Sequence, residues 1–304
     1  MSWFKRILPG VSTQEKKGVP EGVWTKCPSC LSILYQNDLE RSLMVCPKCD
    51  HHLRIRGRKR LLSFLDADGI EEIGTSVVAE DRLKFRDSKR YKDRLSQAVK
   101  KTDETEALVV MRGCLHQMPV VACAFDFDFI GGSVGAAEGE AIIYGVQHAI
   151  DNKTPYIFFP CGGGQRMFES PIALANMTRT TLAINELKKN KLPYIVCFTD
   201  PTAGGITASF AMLGDIHFAE TGCLIAFAGK RVIQATVKEE LSPDFQTAEF
   251  VEKHGFVDKV VNRKNLKNEI GKLLEILLKK NSEVNSELSN ETSTNIEQST
   301  KAAS

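Results

Sequence analysis

Four cysteines in two closely spaced pairs constrain this chain more than any other feature of its sequence. Cys27-Pro-Ser-Cys30 is followed, after fifteen intervening residues, by Cys46-Pro-Lys-Cys49. Each C-x-x-C turn presents two thiolates to one ion, and two such turns complete the tetrahedral four-thiolate shell that Zn²⁺ prefers. Because this shell leaves no open coordination position, the sequence predicts one structural zinc ion rather than a catalytic one.

The zinc pattern also delimits a small N-terminal domain. We expect a zinc ribbon over residues 23–55, since so short a segment folds around its metal rather than around an apolar core. Two redox-active C-x-x-C pairs are the alternative interpretation, and the doubled motif at this spacing favours zinc. Five further cysteines are scattered through apolar runs and are interpreted as core residues: Cys114, Cys123, Cys161, Cys197 and Cys223.

Net charge gives no support for a polyanion-binding protein, and hydropathy argues against a membrane or secreted protein. The chain has 40 Lys and Arg against 38 Asp and Glu, so its net charge of +2 provides no argument for binding a polyanion. No apolar run approaches the roughly 20 residues that span a bilayer, and residues 1–10 contain no apolar stretch typical of a signal peptide. We therefore expect a cytoplasmic protein with reduced cysteines and no membrane anchor.

A short basic run follows the cysteine segment and consists of Arg54, Arg56, Arg58, Lys59 and Arg60. A zinc ribbon beside a positive run is typical of nucleic-acid binding, although no aromatic residues alternate with these charges to stack on bases. The alternatives are a solvated face of the protein or a patch that meets the phosphates of a small anionic ligand.

Beyond the ribbon, a unit recurs in which an apolar strand leads through adjacent glycines into a helical pattern. Strands that alternate with helices at this spacing indicate an α/β fold, and the unequal distances between the glycines exclude a solenoid array. The three units are Val120–Phe129, Gly131-Gly132 and Ala136–Ile150; Tyr156–Phe159, Gly162–Gly164 and Ile172–Lys189; and Tyr194–Thr199, Gly204-Gly205 and Ile206–Leu213.

Weaker patterns flank these units. Asp87–Lys101 is a predicted helix capped by Ser88, and Leu266–Leu277 is a predicted amphipathic helix. Residues 56–280 are expected to form the main domain, after a flexible N-terminal segment of residues 1–22. Residues 281–304 are rich in Ser, Thr, Asn and Glu and are predicted to be a disordered tail.

The usual side-chain catalysts are missing from the sequence. It contains no Walker A loop and no H-E-x-x-H motif. Backbone donors remain, because adjacent glycines at the start of a helix expose N–H groups that can stabilise an anion, as in an oxyanion hole. Asp200–Phe210 is the clearest example, and the alternative is a tight strand-to-helix turn that binds nothing.

Five segments together resemble one family of enzymes. They are Phe127–Ser133, Gly163–Met167, Pro201–Gly205, Ala208–Asp215 and Phe227–Ile233. These segments, with the four-cysteine ribbon before them, are similar to the beta subunits of the bacterial and plastid acetyl-CoA carboxylase carboxyltransferase. The resemblance runs in order from about Trp24 to Val261.

The resemblance implies a crotonase-like (ClpP/crotonase) fold of strand-strand-helix units. It implies transfer of carboxylate from N-carboxybiotin, carried on biotin carboxyl carrier protein, to acetyl-CoA, which gives malonyl-CoA for fatty acid synthesis. It also implies a separate alpha subunit in an alpha2beta2 complex, with the active site between the two subunits, and a biotin carboxylase as a further partner. Both half-reactions develop negative charge on an oxygen, which agrees with a site made of backbone donors.

The resemblance also assigns roles to individual residues. It implies that the Gly204 and Gly205 amides form the oxyanion hole for the thioester oxygen. Gly163, Gly164 and Arg166 are implied to shape the CoA side of the site, and the motif with Gly131 and Gly132 is implied to bind substrate as well.

The sequence departs from the family pattern at four positions. Gly162 stands where the family usually has Ser, Gln165 where it has Ala, Lys230 where it has Pro and Thr247 where it has Arg. These changes keep the glycine backbones and bear on local hydrogen bonding and on the preferred acyl group. Two other functions stay open at this point: a nucleic-acid-binding zinc-ribbon protein, and a carboxyltransferase for another acyl-CoA.

Overall fold

A seven-stranded mixed sheet runs through the centre of the molecule, in the order β11-β9-β7-β6-β5-β4-β3. The computed structural model describes residues 23–278, except 75, 239 and the side chain of 231; the predicted flexible N-terminus and disordered tail lie outside the described residues. The strands are β1 (Trp24–Lys26), β2 (Ile33–Tyr35), β3 (Glu71–Glu72), β4 (Leu108–Leu115), β5 (Met118–Phe125), β6 (Tyr156–Phe159), β7 (Tyr194–Phe198), β8 (Thr202–Ala203), β9 (Ile216–Glu220), β10 (Ile225–Ala226) and β11 (Lys259–Val261).

Helices cover both faces of this sheet. They are α1 (Gln36–Arg41), α2 (Gly57–Phe64), α3 (Tyr91–Thr102), α4 (Ala136–Asp151), α5 (Pro171–Lys189), α6 (Lys230–Val237), α7 (Ala248–Lys253) and α8, which is helical over 263–278. Three short 3₁₀ turns lie at Ile130–Gly132, Met167–Glu169 and Phe210–Leu213. No helix of the described residues is long and apolar enough to cross a membrane.

The two faces of the sheet build two separate apolar cores. Strands β5, β6, β7, β9 and β11 run parallel, while β3, β4 and β5 pair antiparallel. Val121 and Cys123 of β5 face the core covered by α4 and α5, whereas Val120 and Ala122 face the core covered by α2 and α8. The central strands are therefore apolar throughout, as expected for parallel strands buried on both sides.

The ribbon is joined to the sheet by a buried charge cluster. Glu220 at the end of β9 is 1 % exposed and pairs with Arg60 of α2 and Arg263 of α8. Arg263 also donates to the backbone oxygens of Leu43 and Leu53 in the ribbon, at 2.9 and 2.8 Å. Burial opposes the charge on Glu220, but the two guanidinium groups hold its pKa well below the usual range.

The structure confirms the predicted alternation of strands and helices and corrects it in one important place. Residues 206–213 do not form an α-helix; they form an irregular turn that ends in the 3₁₀ turn at Phe210–Leu213. Thr207 Oγ1 donates to Gly204 O at 2.8 Å and Ser209 Oγ donates to Gly205 O at 2.6 Å. Gly204 O also accepts from Ala208 N at 3.0 Å, as in a helix, whereas Ser209 N donates to Ile206 O at 3.3 Å and leaves Gly205 O to the Ser209 hydroxyl. The regular helical bonding therefore stops at Ser209.

The predicted helix over Asp87–Lys101 is shorter at its start than expected. α3 begins at Tyr91 after an Arg90 cap residue, and Ser88 does not cap it. Tyr91 and Ala98 are the buried apolar residues of α3, whereas Val99 is 40 % exposed. The sequence patterns also missed α2 and α6, because both short helices carry basic residues that conceal their apolar side.

Candidate active site

The four predicted zinc ligands meet in one cluster. Their sulfur atoms all lie within 4.8 Å of one another, with Cys27 Sγ 3.7 Å from Cys49 Sγ and Cys30 Sγ 3.8 Å from Cys46 Sγ. A tetrahedral ion with Zn–S bonds of about 2.3 Å requires sulfur atoms about 3.8 Å apart, so the geometry fits Zn²⁺. A bound zinc ion would cross-link the β1–β2 hairpin to the turn at Cys46 and so stabilise the small apolar core of the ribbon.

The three glycine segments predicted to carry the chemistry converge at the carboxyl ends of β5, β6 and β7. Gly163 N donates to Gly131 O at 3.2 Å, Gly162 N to Pro201 O at 2.7 Å, and Ala203 N to Gly162 O at 2.9 Å. Ligands of parallel α/β sheets bind at this end of the strands. We call this surface the glycine platform; it comprises Gly131-Gly132, Gly162–Gly164 and Gly204-Gly205.

Close backbone approach explains why the platform is made of glycine. A Cβ on Gly132 would overlap Cys161 O, and a Cβ on Gly204 would lie 2.7 Å from Gly163 O. Both glycines also have φ of +63°, a conformation that other residues rarely adopt. A Cβ at Gly162 would overlap Gly132 O, so the serine usual at this position would not fit the present backbone.

The amide groups of the platform differ in whether they are free to bind a ligand. Gly204 N already donates to Ala226 O and Phe227 O, at 3.2 and 3.1 Å, and Gly132 N donates to Phe129 O. The structure therefore corrects the prediction for Gly204, whose N–H is occupied by the neighbouring strand. Within the described part of the chain, the amides of Gly205 and Gly164 have no acceptor. Gly205 is thus the available donor of the predicted pair.

Arg166 supports the platform from below rather than facing a substrate. Its side chain is fully buried and pairs with Glu138 and Glu169. Its Nη2 donates to Ser133 O at 2.7 Å, and its Nη1 contacts Tyr91 OH at 3.2 Å. This network ties the segment after Gly131-Gly132 to the segment after Gly164. The prediction that Arg166 shapes the CoA side is corrected to this extent: its guanidinium has no exposed surface with which to meet CoA.

The basic run behind the ribbon is largely neutralised by carboxylates of the same chain. Arg56 pairs with Asp126, Arg58 with Glu72 and Glu104, Lys59 with Glu40, and Arg60 with Glu220. Arg54 instead lies over the ring of Phe127, 4.0 Å from its centroid. These contacts favour a structural role for the run over binding to phosphates or nucleic acid.

Comparison with known proteins decides the family. The family model described as "Carboxyl transferase domain" matches residues 74–301, and the one described as "Acetyl-CoA carboxylase zinc finger domain" matches residues 24–49. The chain is 55 % identical over 312 residues to the acetyl-coenzyme A carboxylase carboxyl transferase subunit beta of Pelagibacter ubique (strain HTCC1062), with 100 % of both chains covered. The chain belongs to the carboxyl transferase family. The four-cysteine ribbon marks it as one of the acetyl-CoA carboxylase type.

Solved structures of other carboxyl transferases and related enzymes share the fold. Transcarboxylase 12S, solved with methylmalonyl-coenzyme A and methylmalonic acid bound, gives a TM-score of 0.59 at 24 % identity. The match covers 73 % of this chain and 41 % of that one, so this chain spans about two fifths of its length. A hetero-dimer of Pseudomonas malonate decarboxylase gives 0.56 at 20 % identity and covers 72 % and 85 % of the two chains. These likenesses confirm the predicted crotonase-like α/β fold.

An apolar cavity of about 540 Å³ lies beside the platform of this carboxyl transferase, and sequence patterns did not reveal it. Phe227, Phe245 and Phe250 line it, together with Thr207 and Gln246. Thr207 Oγ1 donates to Ala226 O at 2.8 Å, which links the cavity wall to the strand that occupies Gly204 N. The aromatic residues of the cavity lie apart in the sequence and come together only in the folded chain.

Two of the departures from the family pattern have local structural explanations. Lys230 begins α6 and its Nζ donates to Pro243 O at 2.8 Å, which anchors the loop before α7. Thr247 is the cap residue of α7, and its side chain accepts from Phe250 N at 3.3 Å. Neither residue belongs to the glycine platform, and Thr247 caps the helix that carries the cavity residues Phe250 and Val251.

Proposed function

We propose that this chain is the subunit of an acetyl-CoA carboxylase that binds acetyl-CoA and takes part in its carboxylation to malonyl-CoA. The observation that carries the proposal is its 55 % identity, over the whole length of both chains, to a protein named carboxyl transferase subunit beta. The converging glycine loops support it, since they offer a backbone surface suited to a developing oxyanion. The carboxyl group is supplied by carboxybiotin on a partner protein.

The chain's own contribution is electrostatic. The acetyl methyl group must lose a proton before it can form a bond to the incoming carboxyl carbon, and the thioester oxygen then carries negative charge. In the proposal that proton goes to biotin, which gains an electron pair when it gives up its carboxyl group. A free amide at Gly205 donates more strongly to that charged oxygen than to the neutral carbonyl, and so lowers the barrier rather than only tightening binding. The amide of Gly164 is also free, and a Cβ built on Gly164 would lie 3.0 Å from Gly205 N, so in the proposal Gly164 lies beside the same oxygen.

The remaining predicted residues act by holding this surface in place. Gly131 O accepts from Gly163 N, and Gly132 allows the backbone of Cys161 to approach. Arg166 clamps both segments through Glu138 and Glu169. In the proposal these three are positioning residues for acyl-CoA and make no contact with the reacting atoms.

The proposal includes partners of this subunit. We infer an alpha subunit, in an alpha2beta2 arrangement, that completes the site and binds biotin, together with biotin carboxyl carrier protein and biotin carboxylase. The exposed aromatic and apolar side chains near the platform, Phe227 and Phe256 among them, support a surface that a partner covers. We place the complex in the cytoplasm, which agrees with the absence of disulfides among the nine cysteines.

The test is carboxyl exchange by the reconstituted pair. The zinc-loaded chain, mixed with its alpha subunit, is expected to transfer carboxyl groups from malonyl-CoA to free biotin, whereas each subunit alone is expected to be inactive. The measurement is the formation of acetyl-CoA from malonyl-CoA that depends on biotin. A folded, zinc-loaded pair without any biotin-dependent reaction would contradict the proposal, and a reaction faster with propionyl-type than acetyl-type substrates would correct its substrate.

A further inference from the structure

Gln165 directly follows the Gly162–Gly164 segment of the glycine platform, and the polar groups of its side chain are without a partner. Its Nε2 and Oε1 are both shielded from solvent, and neither has a hydrogen-bond partner in the part of the chain that the structure describes. A buried carboxamide left unpaired destabilises a folded protein, because the loss of its hydrogen bonds to water is not offset by new ones. Groups of this kind in a native fold call for an explanation, such as a ligand that pairs with them.

The backbone on either side of Gln165 is held firmly. Val134 N donates to Gly164 O at 3.0 Å and Arg166 N donates to Val134 O at 2.8 Å. The side chain of Arg166 is fully buried below the platform, and successive side chains of an extended segment point to opposite sides. Gln165 therefore extends toward the platform, where it contacts Gly205.

The contact with Gly205 is close. A Cβ built on Gly205 would lie 2.7 Å from Gln165 Cγ and 3.1 Å from Gln165 Nε2. Because any Cβ lies about 2.5 Å from the nitrogen of its own residue, Nε2 is within about 5.6 Å of Gly205 N. One oxygen atom can accept from two donors that are up to about 5.8 Å apart, since each hydrogen bond spans about 2.9 Å. The upper limit for Nε2 and Gly205 N falls within this range, so the two donors are close enough to share an acceptor.

We propose that Gln165 is a further catalytic residue, whose carboxamide Nε2 donates to the same thioester oxygen that the Gly205 amide binds. This inference rests on the proposed function of the platform and adds a side-chain donor to it. The second donor matters most when the oxygen becomes negatively charged, because a hydrogen bond to a charged acceptor is about twice as strong as one to a neutral acceptor. No new bond forms or breaks in this step; the carboxamide only stabilises charge.

The experiment replaces Gln165 by Met, which keeps the length of the side chain and removes its donor. With the complete complex of this chain and its alpha subunit, we expect Gln165→Met to lower kcat for malonyl-CoA and biotin by about 10- to 100-fold. KM for malonyl-CoA should change by less than about threefold, because a transition-state contact affects kcat more than ground-state binding. The melting temperature should stay the same or rise, since an unpaired buried amide has been removed.

Two more variants sharpen the result. Gln165→Glu keeps the shape but places a carboxylate beside the developing oxyanion, and should be slower than Gln165→Met. Gln147→Met is the matched control, since Gln147 is an exposed residue of α4 that pairs only with Asp151. It should keep both kcat and KM.

The measured kcat and melting temperature distinguish the role of Gln165 from the proposed function of the chain. If the parent complex is active and Gln165→Met has the same kcat, the role of Gln165 is rejected while the proposed function stands. A fall in melting temperature that parallels the loss of kcat would also reject it, because it would mark a structural residue. An inactive parent complex rejects the proposed function itself, and the inference with it.

Discussion

Glu106, a partly buried glutamate, is expected to make the stability of this protein depend on pH. Burial raises the pKa of its carboxyl to about 8, and the neighbouring Glu138 carboxylate adds to the effect. Glu138 is occupied by Arg166 and by the Gly135 amide, while Glu106 Oε2 has no partner among the described residues. Glu106 is therefore protonated in the folded protein at neutral pH.

Glu106→Gln is expected to stabilise the protein at pH 8 and to have little effect at pH 5. The unfolded carboxyl loses its proton near pH 4.5, whereas the folded one keeps it to about pH 8, so the parent protein loses stability as the pH rises between these values. The gain at pH 8 should be on the order of 1–3 kcal/mol. Urea unfolding at the two pH values measures it, and an equal effect of the substitution at both would contradict the assignment.

The residues of the site differ in how far the sequence could reveal them. The zinc ligands were predictable because the C-x-x-C spacing alone defines their geometry. The sequence could not show that the Gly204 amide is occupied, because its acceptors are the carbonyls of Ala226 and Phe227, more than twenty residues later in the chain. The buried position of Arg166 likewise depends on Glu138, which only the folded chain brings beside it.

At the scale of elements, two independent sets of contacts stabilise the zinc ribbon and its attachment to the sheet. One is the zinc cluster within it, and the other is Arg263 of α8, which bonds both Glu220 and the ribbon carbonyls of Leu43 and Leu53. Removing one member of a buried ion pair typically costs about 3–5 kcal/mol, so Glu220 is expected to be essential for attachment. The ribbon end also contacts the platform loops, since Leu53 and Arg54 line a narrow cleft with Phe127 and Cys161.

Loss of zinc should therefore loosen the ribbon and slow the reaction without unfolding the sheet. In Cys46→Ser we expect faster amide hydrogen exchange over residues 24–53, unchanged protection in β5 and β6, and a lower turnover of the complex. Hydrogen exchange followed by mass spectrometry measures both regions together. Cys114→Ser, which alters a cysteine outside the cluster, serves as the control and should behave as the parent. Unchanged protection of the ribbon after complete loss of zinc would show that the metal does not support it.

Elements with strong apolar patterns were predicted well, and those shaped by side-chain hydrogen bonds were not. β6 matches its predicted range, and α5 begins one residue earlier than expected, because both are buried against the sheet. The turn at 206–213 also has an apolar sequence, but the Ser209 hydroxyl, rather than the Ser209 amide, bonds Gly205 O. Hydrophobic periodicity does not register that competition.

At the scale of the whole molecule, the fold gathers its chemistry at one edge of a parallel sheet. The loops after β5, β6 and β7 form the glycine platform, and the end of the ribbon packs against the same loops. The platform offers free amides at Gly205 and Gly164 and a shielded carboxamide at Gln165, and in the proposal this set accounts for one half of a two-subunit active site. The role proposed for this half is to stabilise the charge on the acyl-CoA oxygen through Gly205.

That role is tested by the exchange rate of the reconstituted complex with Gly205→Val. The φ of Gly205 is outside the left-handed region, so the backbone tolerates the substitution. A Cβ there would lie 2.7 Å from Gln165 Cγ and displace that side chain, so the loss is compared with that of Gln165→Met and has to exceed it. The branched side chain would screen the amide from a bound thioester. Gly74→Ala, at a position where a Cβ meets no atom within 4 Å, is the matched control. We expect at least about a 100-fold loss of kcat in Gly205→Val, with zinc content and subunit association unchanged. Exchange at the rate of the parent and the control would contradict the role of Gly205.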